Sequence, residues 1–122
     1  MDWQFHNDQP IYTQLVDQIK FAIVSGELPP GARMPAVREL SLEAGVNPNT
    51  MQRALQELER DGLLYTQRTS GRYVTEDVAT IQRCKEHLAR EQIDSFLAAM
   101  KLLGYERAEI FRLLEKEKEE QA

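Results

Sequence analysis

The chain is poor in the residues from which reactive centres are built. Its 122 residues include one cysteine and two histidines. A lone cysteine, Cys84, closes no internal disulfide, which fits a reducing compartment and leaves the core to be held by apolar packing. His6 and His87 fall into no nucleophile–base arrangement, and the chain carries neither a glycine-rich phosphate loop nor a nucleophile elbow. The carboxylates lie mostly on faces expected to be exposed, so no enzyme is read from this sequence. Long apolar runs are missing as well: none approaches the roughly 18–20 residues that cross a bilayer. The first residues, Met1-Asp-Trp-Gln4, lack the basic and apolar regions of a secretory signal, so a cytoplasmic protein that does not engage a membrane is expected. Internal repeats and low-complexity segments are absent.

Positive charge is also in short supply. The formal net charge is -5 and the isoelectric point about 5.1. Residues 1–77 carry seven Lys and Arg against eleven Asp and Glu, which excludes a broadly basic nucleic-acid binder. Placement is more telling than the total. The stretch from Ala44 to Gln56 contains no acid, and Arg38, Arg53, Arg68 and Arg72 are spaced to converge near it. Glu57, Glu59 and Asp61 fall at the far end of the same helix. An acidic chain with one basic edge can still bind DNA, with modest non-specific affinity.

What is present is a hydrophobic fraction of 42% and a charged fraction of 29%, those of an ordinary globular protein. Residues 1–9 read as a polar, extended arm. From Pro10 onward Ile11, Leu15, Ile19 and Ile23 recur every four residues, predicting a helix over about 10–25 that Gly26 closes. Leu28-Pro-Pro-Gly31 is a turn. A second helix over about 36–44 buries Val37, Leu40 and Ala44. Gly45-Val-Asn47 then turns the chain, with Asn47 as N-cap and Pro48 as first residue of a third helix. Met51, Ala54, Leu55 and Leu58 form that helix's inner face, leaving Asn49, Gln52, Arg53 and Gln56 outward. Gly62 ends it. Residues 63–66 and 72–75 read as two short strands around a tip of Gln67, Arg68, Thr69, Ser70 and Gly71.

After Asp77 the composition turns to helix formers. Val78, Ile81, Cys84 and Leu88, then Ile93, Phe96, Leu97 and Met100, define a long helix that Gly104 breaks. A last helix carries Ile110, Phe111, Leu113 and Leu114 before a charged end from Glu115. The apolar stripe of this hairpin is too extensive to bury on itself, which predicts dimerisation. Ile81, Cys84, Leu88, Phe96, Leu97, Met100, Ile110, Phe111 and Leu114 are the residues expected at the seam. The fold expected is therefore mainly α with a small β-hairpin: a winged helix-turn-helix over 1–76 and a two-helix dimerisation region over 77–122.

The order helix, glycine turn, helix with a polar acid-free start, then a hairpin with arginines near its tip is that of a shape built to place a helix end in a DNA major groove. Such a helix must offer small hydrogen-bonding groups and a cation to base edges and phosphates. Asn47, Asn49, Thr50, Gln52 and Arg53 meet that demand: Asn and Gln pair bidentately with adenine and Arg with guanine. Arg38 would lie by a backbone phosphate. Arg68, Ser70 and Arg72 on the wing would reach the adjacent minor groove or its sugars.

Over roughly residues 10–75 the chain closely resembles the GntR family of bacterial transcription regulators, in particular its short YtrA-like subfamily. The resemblance rests on Pro10-Ile-Tyr, Ile23-Val-Ser-Gly-Glu-Leu-Pro-Pro-Gly31, Met34-Pro-Ala-Val-Arg-Glu-Leu-Ser41, Val46-Asn-Pro-Asn-Thr50, Arg53-Ala54 and Glu57-Leu-Glu-Arg-Asp-Gly62. Their combined order is far more specific than any one of them. The remainder resembles that subfamily's two-helix dimerisation region, with no room for the large effector domains of other branches. The resemblance implies a homodimeric repressor on an inverted-repeat DNA operator, with Arg38 in the place of the family's helix-two arginine. No cofactor or metal is expected, and the resemblance leaves any small-molecule effector unassigned. Three departures stand out: Ala36 replaces the usual serine, Thr69-Ser70 replaces a Gly-Lys pair in the wing, and Arg72 takes a threonine position where it would restore the missing cation.

Other readings of the same residues stay open. A winged helix can serve as a protein-interaction module, and the C-terminal helices could respond to a ligand or a metal. Cys84, His87 and Glu91 share a helical face at ligand-like spacings of three and four, but a small hydrophobe beside an ordinary surface pair accounts for them better. Tyr65 and Tyr73 could stack on sugars, but packing across the hairpin is the favoured reading.

Overall fold

A computed structural model describes residues 1–121. The element order is α1 (Ile11–Ser25), α2 (Val37–Ala44), α3 (Pro48–Arg60), β1 (Leu64–Gln67), β2 (Gly71–Val74), α4 (Val78–Leu102) and α5 (Arg107–Gln121). The chain divides into two compact units, residues 1–85 and 86–122.

In the first unit α3 is the central helix, packing on both α1 and α2 and leading directly into β1. Its inner face is Met51, Ala54, Leu55 and Leu58, the four positions that helical spacing selects. They meet Leu15, Val16, Ile19 and Ile23 of α1, Leu40 of α2, and Leu63, Leu64 and Val74 of the wing in one apolar cluster. Local chemistry sets the ends of these helices. Asn47 accepts a hydrogen bond from the Asn49 N–H at 2.7 Å, satisfying a donor that the first turn of α3 would otherwise leave open. Gly45 closes α2 at φ +71°, a left-handed conformation that costs a residue with a Cβ about 1 kcal/mol or more. α2 itself starts at Ala36, which offers no side-chain cap.

β1 and β2 pair antiparallel, with Tyr65 opposite Tyr73 and Thr66 opposite Arg72. A further segment lies along β2. The Met34 N–H donates to the Arg72 carbonyl at 2.8 Å, the Val74 N–H to Ala32 at 2.9 Å and the Gly31 N–H to Val74 at 2.9 Å. Arg33 thereby stands opposite Tyr73 in an antiparallel bridge. Residues 31–34 are thus a third edge of the wing, where the sequence reading had only a turn ending at Gly31. No strand periodicity fits in so short a piece.

The N-terminal arm is docked as well as extended. Met1, Trp3 and Phe5 are half-buried while Asp2, Gln4 and His6 face out. Two glutamines one turn apart on α1 hold its backbone. Gln14 donates to the His6 and Gln9 carbonyls at 2.8 Å each and accepts from the His6 N–H at 3.0 Å; Gln18 both donates to and accepts from Gln4. Gln14 is only 4% exposed, so this pairing is what makes its burial tolerable.

α4 starts at a capped end. Asp77 accepts from the Ala79 N–H and from the Thr80 hydroxyl at 2.7 Å. Its first two turns belong to the first unit, because Ile81 and Cys84 pack against the winged-helix core. The sequence reading put both on a dimer seam; their stripe position is real, but its partner here is the chain's own core. In the second unit the rest of α4 and α5 are joined at Gly104, whose φ is +95°. Ile110 is buried within this unit at 4% exposure. Leu97 and Met100 are half-buried, whereas Ile93, Phe96, Phe111 and Leu114 are exposed. Among the described residues no helix is long and apolar enough to cross a membrane.

Candidate nucleic-acid interface

The first turns of α3 present one polar surface. Asn47, Pro48, Asn49 and Arg53 are exposed, and Thr50 and Gln52 are half-buried at its border. No acid occurs in the first turn, so nothing there opposes the partial positive charge of the helix start. Asn47 has two tasks to divide: its side-chain carbonyl oxygen serves the cap, and its amide nitrogen remains a donor. Asn49, Thr50 and Gln52 keep their side-chain groups uncommitted to any hydrogen bond among the described residues.

Arg53 is exposed yet positioned. Its guanidinium lies 4.6 Å from the centre of the Tyr12 ring on α1. The Glu57 carboxylate beside it, with burial second, holds the Tyr12 hydroxyl above its ordinary value of 10.0. The ring is thus a platform that holds the cation at one edge of the α3 surface, at little cost in side-chain freedom on binding. Arg38 projects from the second residue of α2. It borders a shallow apolar groove formed with Ser41, Leu42, Gly45, Val46 and Pro48, next to the start of α3.

On the wing, Tyr65 and Tyr73 stack with ring centres 5.7 Å apart, which favours cross-strand packing for the pair over stacking on sugars. Arg68 is exposed at the tip. The Ser70 hydroxyl donates to the Gln67 side chain at 3.1 Å, and its carbonyl accepts from the Tyr73 hydroxyl at 3.4 Å, so Ser70 shapes the turn.

Arg72 is not the open cation that the sequence reading made it. Its Nε donates to Glu59 of α3, and the Thr66 hydroxyl donates to the same carboxylate oxygen at 2.6 Å. Thr66 and Arg72 are cross-strand partners, so the register itself brings both to Glu59. Burial pushes Glu59 up, but the Thr66 hydroxyl and the Arg72 guanidinium outweigh it and hold the carboxyl below its ordinary value of 4.5. The sign follows: this latch stabilises the wing at all pH above about 4.5 and is lost as pH falls through the folded value. A loss of thermal stability below pH 4.5 that shrinks in Glu59→Gln is the expected outcome; identical acid profiles for both proteins would rule it out.

Arg33 carries no local sequence signal of a site. It is exposed, has no ion-pair partner within 4 Å among the described residues, and lies beside Gly71 of the wing. Only the bridge to Tyr73 brings it there, and a bridge between positions 40 residues apart leaves no local signal. The face shared by Cys84, His87 and Glu91 resolves into a His87–Glu91 pair at 2.8 Å, with Cys84 turned to the core. Among the described residues no group of three or more His, Cys, Asp or Glu is placed to hold a metal ion.

Residues 11–74, the whole winged helix from α1 to β2, match the model of the gntR family of bacterial regulatory proteins. Two curated relatives extend the likeness. An uncharacterised HTH-type transcriptional regulator of Bacillus subtilis, YhcF, is 41% identical across 90% of this chain and 91% of its own. The HTH-type transcriptional repressor YtrA of the same organism is 37% identical, covering 76% of each chain. Among solved structures, a GntR family transcriptional regulator from Listeria monocytogenes superposes with a TM-score of 0.82 at 37% identity, over 92% of this chain and 98% of that one. The AraR DNA-binding domain, solved in complex with its operator ORX1, superposes at a TM-score of 0.55 and 28% identity over 59% of this chain and 93% of that domain. None of these relatives is described as an enzyme. A family match over more than half the chain, on the segment whose polar helix start and wing are described above, leads to one conclusion: the chain belongs to the GntR family of bacterial regulatory proteins and is a DNA-binding transcriptional regulator.

Proposed function

We propose that this regulator acts in the cytoplasm as a homodimeric repressor at an inverted-repeat operator. The start of α3 enters the major groove, where Asn49, Thr50, Gln52 and Arg53 face base edges and the Asn47 amide donates to a base or phosphate. Arg38 meets a backbone phosphate, and Arg68 at the wing tip reaches the neighbouring minor groove. Ser70 contributes by holding the tip's shape. The observation that carries this reading is the acid-free, exposed start of α3, with Arg53 already held in place over Tyr12. The repressor YtrA and the operator-bound AraR domain support the same assignment.

Pairing of two copies falls to the second unit. Phe96 and Phe111 are 42% and 58% exposed, and Ile93 and Leu114 accompany them. Uncovered aromatic and aliphatic side chains in this number on one small helical hairpin favour a covered face in solution. Leu88, Leu97 and Met100 are half-buried at its borders, while Ile110 supports it from within. Selection of bound sequences from random duplex DNA by the purified full chain tests both halves of the reading. The expected product is a pseudo-palindrome with half-sites about one helical turn, roughly 10–10.5 bp, apart. Enrichment of no sequence would dismiss the operator, and a lone half-site would dismiss the dimer.

A further inference from the structure

The structure brings two arginines, Arg33 and Arg72, to the wing, and their surroundings differ. We infer that Arg33, carried by the 31–34 edge, is the residue with which the wing meets the DNA sugar–phosphate backbone, while Glu59 retains Arg72 for the fold. This rests on the DNA-binding reading above and adds to it a contact residue outside the recognition helix and the hairpin.

Arg72 is spent. Its guanidinium is shared with a carboxylate that also accepts from Thr66, and the side chains of Arg72 and Glu59 are 16% and 28% exposed. Bringing Arg72 to a phosphate would strip Glu59 of its partner and leave an acid facing the anionic duplex, so the ion pair and the new contact compete. Arg33 carries no such commitment. Backbone hydrogen bonds on both sides of it, Met34 N–H to Arg72 and Val74 N–H to Ala32, fix where its side chain starts. Its Nε lies 3.2 Å from where a Cβ on Gly71 would stand, so the absence of a side chain at 71 leaves the guanidinium room against the end of the hairpin. The result is a shallow groove between residues 34–37 and the hairpin, lined by Arg33, Pro35, Ala36, Thr66, Gly71 and Arg72, in which, among the described residues, Arg33 is the cation without an ion-pair partner. The wall formed by Met34, Pro35, Ala36 and Val37 carries no charged side chain.

Salt dependence separates the two arginines. Each phosphate neutralised contributes about 0.9 to the slope of log affinity against log salt on B-DNA. Full-length protein is titrated onto a fluorescent duplex at several salt concentrations between 50 and 200 mM. Arg33→Ala is expected to lower the slope by about 0.9 for each copy bound, so that wild type loses about 3.5-fold more affinity per copy across that range. Arg33→Lys should retain the wild-type slope. The double variant Glu59→Gln/Arg72→Met, which removes the pair together, should leave the slope unchanged whatever it does to thermal stability. An unchanged slope in Arg33→Ala, or a reduced one in the double variant, overturns the assignment. Absence of duplex binding by the wild type at low salt would instead reject the DNA-binding reading, and this inference with it.

Discussion

Leu55→Ala should lower the unfolding free energy by about 2–5 kcal/mol, the range for emptying a packed leucine site. Leu55 has no exposed surface and sits on the inner face of α3 among Leu15, Ile19, Leu40 and Leu64. Surrounding groups cannot collapse into the void, because three helices and the wing meet there and each is held by its own hydrogen bonds. For a unit of this size 1 kcal/mol corresponds to roughly 4–8 °C, so a fall in melting temperature of about 10 °C or more is expected. Leu42→Ala is the control. That leucine is 79% exposed, and its loss should change stability by no more than about 0.5 kcal/mol. Equal melting temperatures for the two variants would refute the packing described for α3.

The second large effect concerns binding. Arg53→Ala should weaken operator affinity by about 1–3 kcal/mol, roughly 5- to 150-fold, for each copy bound. Its cost to the fold should stay below about 1 kcal/mol, since an exposed cation over a ring contributes about 0.5–1 kcal/mol. The separation of the two effects is the informative part. A residue that only braced α1 against α3 would lose stability and keep its affinity; a contact residue does the reverse. Tyr12→Leu, which keeps the cation and removes its platform, should give an intermediate loss of affinity. Binding isotherms and thermal melts of the same preparations read both quantities, and unaltered affinity in Arg53→Ala would remove Arg53 from the interface.

Much of the molecule follows from neighbours in the chain. The four-residue recurrence of Ile11, Leu15, Ile19 and Ile23, the Asn47-Pro48 start of α3 and the glycines at 26, 45 and 62 act within one or two helical turns. The elements they predict match the structure to within a residue or two at each end. The inner face of α3 was equally legible, and its outward polar face followed by subtraction. Where the sequence reading went astray, distance along the chain is the reason. Arg72 looks like a surface cation until the hairpin register sets it beside Thr66 and, 13 residues back, Glu59. Glu59 looks like a solvated acid at the far end of a helix for the same reason. The polar arm of residues 1–9 gave no hint that Gln14 and Gln18 would bind its backbone. Ile81 and Cys84 continue a stripe that one dimension cannot divide between a core and a seam.

Taken alone, the order of residues determined which segments are helical, where each begins and ends, and which face of α3 stays polar, because caps and apolar spacing act over a few residues. Tertiary structure alone decided which charges are free to meet DNA. Ion pairing depends on which side chains come within about 4 Å, and that is settled by strand register and helix packing rather than by composition: it paired Arg72 inside the fold and left Arg33 open beside Gly71.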